Sequence, residues 1–554
     1  MRKILCLVFM VICCFTVLAQ TNSSSNAANT DEIKRPKLVV GIVVDQMRWD
    51  YLYRYYNLYQ PDGGFKRLLS QGFSCENTMI PYIPTFTACG HTSIYTGSVP
   101  AIDGITGNDW WDYNLSKIVY CSEDDSVKPI GSNNADAGDM SPRNMLVTTI
   151  GDELHLAENF HNKVIGIALK DRSAIFPVGH SANGAYWYDD KTGDWITSSY
   201  YMDDLPKWVK DVNAKKLVDK YYEQNWNTLY PLDKYVQSAP DQEPYEYRPF
   251  GGKNGFPYDL KQYIGKNYGM IHVIPYGNSF TFDMAKAAID GEQLGKGSAG
   301  TDMLAISLST PDYIGHTFGP NSVEAEDDFL RLDKDIGSFL NFLDAQIGKG
   351  QYLLFLTADH GVTQVPAFLK EHKIPAGSVD GEKISDQLNA LLKDKFNTEK
   401  LVIGIVNNQV FLDHTAMSTS RHLDKENVYD AIINFLIQQP GVYRAFALDD
   451  LSKVTLNKTI KDKVANGYYP PRSGDIQIIF KPQWIDGFLI GGTTHGEWNP
   501  YDSHIPLIWY GWNINPGKTN REVEMTDIAP TISAMLHIQM PSGSIGHVIE
   551  EVSK

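Results

Sequence analysis

Leu38-Val39-Val40-Gly41-Ile42-Val43-Val44-Asp45-Gln46-Met47-Arg48-Trp49-Asp50 decides the fold class. Seven residues without a polar side chain end on a carboxylate. A continuous apolar run of this length suits a strand buried on both faces, as in a parallel sheet covered by helices. Four more runs read the same way: Val164 to Leu169, Met303 to Leu308, Tyr352 to Leu356 and Ile505 to Tyr510. Helical patterns lie between them. The clearest begins near Asn321, with Glu324 as the expected cap partner. Phe329, Leu332, Ile336, Phe339, Leu343 and Ile347 then recur at steps of three or four, and Gly348 ends the pattern. Alternating strands and helices predict an α/β, doubly wound, mostly parallel sheet with helices on both faces.

Four of the five runs are followed at once by polar residues. Asp45 follows the first, Lys170 and Arg172 the second, Asp312 and His316 the third, Asp359 and His360 the fourth. In open α/β sheets, sites form outside the carboxyl ends of strands. A single Asp after a strand is usually a helix cap or turn former. Four strands delivering carboxylates, imidazoles and cations to one edge call for more than caps. Two stretches interrupt the pattern. Residues 180–270 are rich in Tyr, Trp, Asp, Gly and Pro and predict an irregular insertion. Residues 370–485 predict a small α+β lid subdomain, with Leu401–Leu412, Gly441–Leu448 and Asp475–Phe480 as strands and Val428–Gln438 as a helix. The catalytic core is then expected over 36–369 and 486–554.

Composition bounds the function. With 554 residues, 43% hydrophobic and 21% charged, the chain is of ordinary globular type. The formal net charge of −17 argues against a duplex nucleic acid partner, because the summed field repels phosphate backbones. Arg2 and Lys3 precede an apolar stretch from Ile4 to Ala19, short for a membrane span. Residues 1–19 read as a secretory signal peptide and 20–35 as a flexible linker, so a periplasmic or secreted protein without a membrane anchor is expected. Beyond that segment only Cys75, Cys89 and Cys121 remain, too few for a disulfide scaffold.

Carboxylates and imidazoles without thiolates suit catalytic Zn²⁺. Asp45, Asp312, His316, Asp359, His360 and the distant His495 are enough for two ions, the clamp used for in-line phosphoryl displacement. The chain has 14 His, and His91 and His504 compete for the same role. The segment from Tyr82 to Ser93 supplies a hydroxyl at a loop-to-helix junction, where backbone N–H groups attract anions. Spacing alone leaves Thr85, Thr87 and Thr92 open.

The stretches Val43 to Asp50, Pro84 to His91, Gly107-Asn108-Asp109-Trp110, Lys170-Asp171-Arg172, Asp312 to His316, Ala358-Asp359-His360-Gly361 and Gly492-Thr493-Thr494-His495 together resemble the alkaline phosphatase superfamily. The resemblance is strongest to its periplasmic, phosphate-irrepressible members, and it runs from about Arg35 to the C-terminus. It implies a monomeric two-zinc phosphomonoesterase acting on small phosphate monoesters. It further implies that Thr87 is the nucleophile. One Zn²⁺ would be held by Asp45, Asp359, His360 and Thr87, the other by Asp312, His316 and His495. Asn108, Lys170 and Arg172 would bind the phosphoryl oxygens. Cys89 stands where an apolar residue is expected, and a small buried thiol fits there. The alternative is a nucleotide pyrophosphatase/phosphodiesterase on the same scaffold. A diester carries one negative charge, so the paired cations Lys170 and Arg172 favour monoesters. A sulfatase would need Cys-x-Pro-x-Arg, and Cys89 is followed by Gly90-His91-Thr92. A catalytically silent metal-binding protein is disfavoured by retention of the nucleophile and every ligand.

Overall fold

The computed structural model describes residues 34–297, 300–420 and 423–553. The expected signal peptide, and the linker up to residue 33, lie outside them. Among the described residues no helix is long and apolar enough to cross a membrane.

From Arg35 onward the chain forms one unit built on a mixed sheet. Its strands are β1 (Leu38–Val44), β2 (Phe73–Met79), β3 (Val164–Ala168), β4 (Gly184–Asp189), β5 (Asp194–Ser198), β6 (Asp302–Leu308), β7 (Tyr352–Thr357), β8 (Leu507–Gly511) and β9 (Gly517–Glu524), with short edge pieces at Pro129–Ile130 and His504–Ile505. The order β7-β1-β6-β3-β4 forms a parallel centre. Antiparallel pairings of β8 with β7 and of β5 with β4 flank it. All five predicted runs are therefore in this sheet, with β8 reversed at the margin.

Register does the positioning. Leu38 pairs with both Tyr352 and Asp302, Val44 with Leu308, and Ala168 with Ser307. The parallel strands run out together, so residues 45, 170, 312 and 359 all emerge at one edge. The centre is dry: every residue of β1, β6 and β7 is buried. Helix α1 (Thr87–Thr96), buried along its whole length, lies against this layer. Two glycines let it approach. A Cβ on Gly41 would stand 2.2 Å from the Tyr95 hydroxyl, and one on Gly90 would stand 2.4 Å from the Asp359 carbonyl.

Helix α2 (Thr310–Phe318) follows β6, and α3 (Val323–Leu343) carries five residues of the predicted apolar face, with the sixth, Ile347, in the π turn Asp344–Gly348 that follows; all six are buried. Its cap differs from the expectation. Ser322 Oγ accepts from the Ala325 N–H at 3.1 Å, and Glu324 instead takes the Tyr258 hydroxyl. A serine at the N-cap reaches the orphan N–H directly, which frees the buried glutamate for a tertiary bond.

Residues 180–270 are more regular than expected at their start. The aromatic run Tyr186-Trp187-Tyr188 suits a pleated sheet, and β4 and β5 form a hairpin added to the main sheet. Short helices and turns follow. Strands Val402–Val406, Gln409–Leu412, Ile476–Phe480 and Val442–Ala447 form a separate antiparallel sheet over its own apolar cluster. Cys75, Cys89 and Cys121 are buried and free.

Gly90→Ala is expected to cost about 1–3 kcal/mol, because its methyl group meets the backbone of Asp359. Gly404→Ala, which meets no atom within 4 Å, is expected to stay within about 0.5 kcal/mol of wild type. Urea unfolding of both variants checks this; equal effects would contradict the packing described.

Candidate active site

Asp45 leaves β1 with its N–H bonded to the Leu308 carbonyl at 3.1 Å. Gln46 then adopts a left-handed backbone, φ 65°. That turn aims its N–H at Asp359 Oδ1 (3.1 Å) and its side-chain Nε2 at Asp312 Oδ1 (2.6 Å). Asp312 and His316 lie one turn apart on α2, with His316 Nε2 3.1 Å from Asp312 Oδ1. Asp359 and His360 follow β7. His495 arrives from a distant loop, its ring stacked on that of His360 at 3.5 Å between centroids.

The three imidazoles share one arrangement. His316 Nδ1 faces the Thr493 carbonyl at 2.7 Å, His360 Nδ1 the Gly361 carbonyl at 3.0 Å, and His495 Nδ1 the Thr85 carbonyl at 2.6 Å. A carbonyl only accepts, so each Nδ1 carries the proton and each Nε2 presents a lone pair to the centre. Asp312, His316 and His495 bring their ligand atoms within 4.8 Å of one another, and so do Asp45, Asp312 and His360. Asp359 Oδ2 lies 3.4 Å from His360 Nε2. Asp359 stands slightly apart because its Oδ1 is taken by two backbone N–H groups and its Oδ2 lies 3.2 Å from His91 Nδ1.

Charge makes the donor set a cation site. Asp45, Asp312 and Asp359 are buried together, and Asp45 Oδ1 and Asp359 Oδ2 have no hydrogen-bond donor. Burial raises the Asp45 carboxyl well above its ordinary range, and Asp359 adds to this against the pull of Lys170. Burial works against ionised Asp312 too, but His316 and Lys170 hold it well below that range. Burial, reinforced by His360 and His316, pushes His495 well down, and burial lowers His360 as well. His316 moves the other way, because Asp312 raises it against burial. Imidazoles and carboxylates with orphaned oxygens, gathered in one largely buried space, fit divalent cations, whose charge would favour the ionised acids and neutral rings.

Thr87 opens α1 and points its Oγ1 at His360 Nε2, 3.4 Å away. The other two threonines are spent elsewhere. Thr85 Oγ1 bonds the Glu497 carbonyl and the Gly496 N–H, and Thr92 Oγ1 bonds the Ala88 carbonyl. Asn108 Oδ1 accepts the Ala88 N–H at 3.0 Å, which places its amide beside Thr87 and leaves the N–H₂ end for a ligand. Lys170 Nζ bridges Asp45 Oδ2 (2.7 Å) and Asp312 Oδ2 (2.6 Å), and these two carboxylates hold its pKa above the ordinary lysine value despite burial. Arg172 donates to the Tyr120 hydroxyl at 2.8 Å. All ten residues singled out in the sequence are thus placed: eight contact one another, Asn108 is bonded to Ala88 beside Thr87, and Arg172 stands two positions from Lys170. His504 is not part of the site; it bonds the Glu76 carbonyl and stacks on Trp49. Sequence reasoning missed Gln46 as the clamp between Asp312 and Asp359, and the place of His91 beside Asp359. His91 had been weighed as a ligand. Its ring nitrogens face the Thr87 carbonyl and Ser307 Oγ at 2.9 and 2.8 Å. The left-handed Gln46 was the hardest to foresee, since Gln has no preference for that backbone.

The family described as type I phosphodiesterase / nucleotide pyrophosphatase matches residues 39–496. Alkaline phosphatase PhoV of Synechococcus elongatus is 53% identical over all of both chains. A Myroides odoratus protein named calcium-transporting ATPase is 50% identical over 98% of each chain. The crystal structure of wild type alkaline phosphatase PafA matches with a TM-score of 0.92 and 47% identity, covering 94% of this chain and 100% of that one. With the sheet, the helix-borne threonine and the carboxylate–imidazole cluster in place, these matches settle the family: the chain belongs to the type I phosphodiesterase / nucleotide pyrophosphatase family of the alkaline phosphatase superfamily.

Proposed function

We propose that this chain is an exported, monomeric alkaline phosphatase that hydrolyses phosphate monoesters through a phosphothreonine on Thr87. The observation that carries the reading is the approach of Thr87 Oγ1 to a buried set of ligands from four separate segments. Asp45, Asp359, His360 and Thr87 would hold one Zn²⁺, and Asp312, His316 and His495 a second. Bound there, the ions would lower the pKa of the Thr87 hydroxyl and neutralise charge on the departing oxygen.

The remaining work belongs to the chain. Thr87 gives its hydroxyl proton to solvent, and its Oγ forms a bond to phosphorus as the bond to the alcohol oxygen breaks; the alcohol leaves with a proton from solvent. Water then attacks the phosphothreonine, the bond to Oγ breaks, and inorganic phosphate departs. The transition state is loose, so positioning and charge neutralisation carry most of the acceleration. Lys170 spends two N–H groups on Asp45 and Asp312 and keeps a third for a phosphoryl oxygen. Arg172 adds a planar fork, and the Asn108 amide a neutral donor. Two cations suit a dianionic monoester better than a diester, which supports monoesters over the pyrophosphatase reading. The 370–485 segment would serve as a lid. Its turn residues Asn407 and Asn408 bond the Asp109 carbonyl and Glu497, beside Asn108 and His495. The basic-then-apolar residues 1–19 support export.

Three outcomes are expected. Thr87→Ala lowers monoester turnover by at least about 10³-fold, whereas Thr87→Ser traps radiolabel from substrate on residue 87; label elsewhere would refute the intermediate. Lys170→Ala with Arg172→Ala lowers monoester kcat/KM by about 10²-fold or more and diester turnover far less, and equal losses would favour the pyrophosphatase reading. Chelation abolishes hydrolysis and Zn²⁺ restores it at two ions per chain by elemental analysis, with sulfate esters untouched throughout; full activity in metal-free protein would end the proposal.

A further inference from the structure

Among the ligand side chains, solvent reaches His316 most: it is 25% exposed, against 0–5% for Asp45, Asp312, Asp359, His360 and His495. The site therefore opens on the His316 side. What stands at that opening is apolar. Phe488 lies flat on the His316 ring, 5.6 Å between centroids and 8° between planes. Leu489 and Ile490 beside it are 58% and 88% exposed, and Tyr247, its ring 6.2 Å from that of Phe488, is 39% exposed. Single exposed apolar residues need no explanation, but a contiguous group at the mouth of a site marks a contact surface.

The loop that carries them is held at both ends. The Gly487 N–H bonds the Val379 carbonyl at 2.8 Å, Ser378 Oγ donates to the Phe488 carbonyl at 3.4 Å, and beyond the loop the Thr493 N–H bonds the His316 carbonyl at 3.1 Å. Gly492 passes so close that a Cβ there would stand 2.5 Å from the His316 carbonyl and 2.6 Å from the Tyr247 ring. Phe488 itself has φ 51°, a backbone conformation that bulky residues rarely keep without surrounding constraint. The ring is thus presented by a braced loop, and strain of this kind clusters at ligand contacts.

We propose that Phe488, Leu489 and Ile490 form a rest for the leaving alcohol, so that the enzyme favours phosphate monoesters of aryl or other apolar alcohols. This rests on the monoesterase reading above. In that reading Thr87 attacks from the His360 side, and in-line displacement sends the departing oxygen toward Asp312, His316 and His495. The group bonded to that oxygen then leaves past His316, across the Phe488 face. Apolar area removed from water there contributes to kcat/KM without touching the reacting atoms.

The test compares phenyl phosphate with 2-hydroxyethyl phosphate on wild type, Phe488→Ala, Phe488→Leu and Leu489→Ser/Ile490→Ser. Each variant is compared with wild type on the same substrate, so the intrinsic reactivity of the two esters cancels. The phenyl-to-hydroxyethyl ratio of kcat/KM is expected to fall about tenfold in Phe488→Ala and several-fold in the double variant. Phe488→Leu should keep it within about twofold, because an apolar surface remains. Zinc content per chain should not change in any of them. An unchanged ratio in Phe488→Ala overturns the proposal. An equal loss on both esters also overturns it and assigns Phe488 to holding His316 in place. Should wild type cleave neither ester, the monoesterase reading fails. Calorimetric binding of phenylphosphonate and 2-hydroxyethylphosphonate to the zinc-loaded proteins then decides the rest by the same ratio.

Discussion

Three carboxylates and two imidazoles share one buried space, with the imidazole of His316 at its edge and a single lysine bridging two of the acids. Burying like charges together is costly, and the cost rises steeply in a medium less polar than water. The cluster persists because the sheet delivers its members covalently, strand by strand, and because cations can satisfy the oxygens that no donor reaches. Lys170 acts in this balance, since its ammonium stands between Asp45 and Asp312. Everything catalytic about the molecule depends on holding those groups close despite their repulsion.

The scaffold's answer is rigidity. β1, β6 and β7 are dry along their whole length and paired in register, so their ends cannot slide relative to one another without breaking the ladder. α1 is pressed onto the same layer through Gly90, which fixes Thr87 relative to Asp359. Around the site, Nδ1-to-carbonyl contacts set the ring orientations, and Gln46 bonds both Asp312 and Asp359. The apolar loop at the mouth is braced through the backbone of His316, so the loop and the His316 ring share one support.

Much of this was legible before any coordinates. Apolar runs closing on Asp45, Lys170, Asp312 and Asp359 announce a parallel sheet with a site at its carboxyl edge, because caps and turns explain one such residue more easily than four together. The spacing of Asp312 and His316 places both on one helical face. Other features were not legible. Ser322 alone caps the start of α3, without Glu324 as a capping partner, because Glu324 has a tertiary partner in Tyr258, 66 residues away in sequence. Gln46 and His91 act on residues hundreds of positions distant, and neither belongs to a pattern that spacing can reveal.

Sequence by itself determined the strands that carry the site, the clearest helix face and the chemical types available, since these follow from local hydrophobic periodicity and side-chain chemistry. Only tertiary structure decided which threonine faces the ligands, which histidines present a lone pair, and where the site opens. Those outcomes depend on contacts between segments as far apart as residues 85 and 495, and no local rule reaches across that distance.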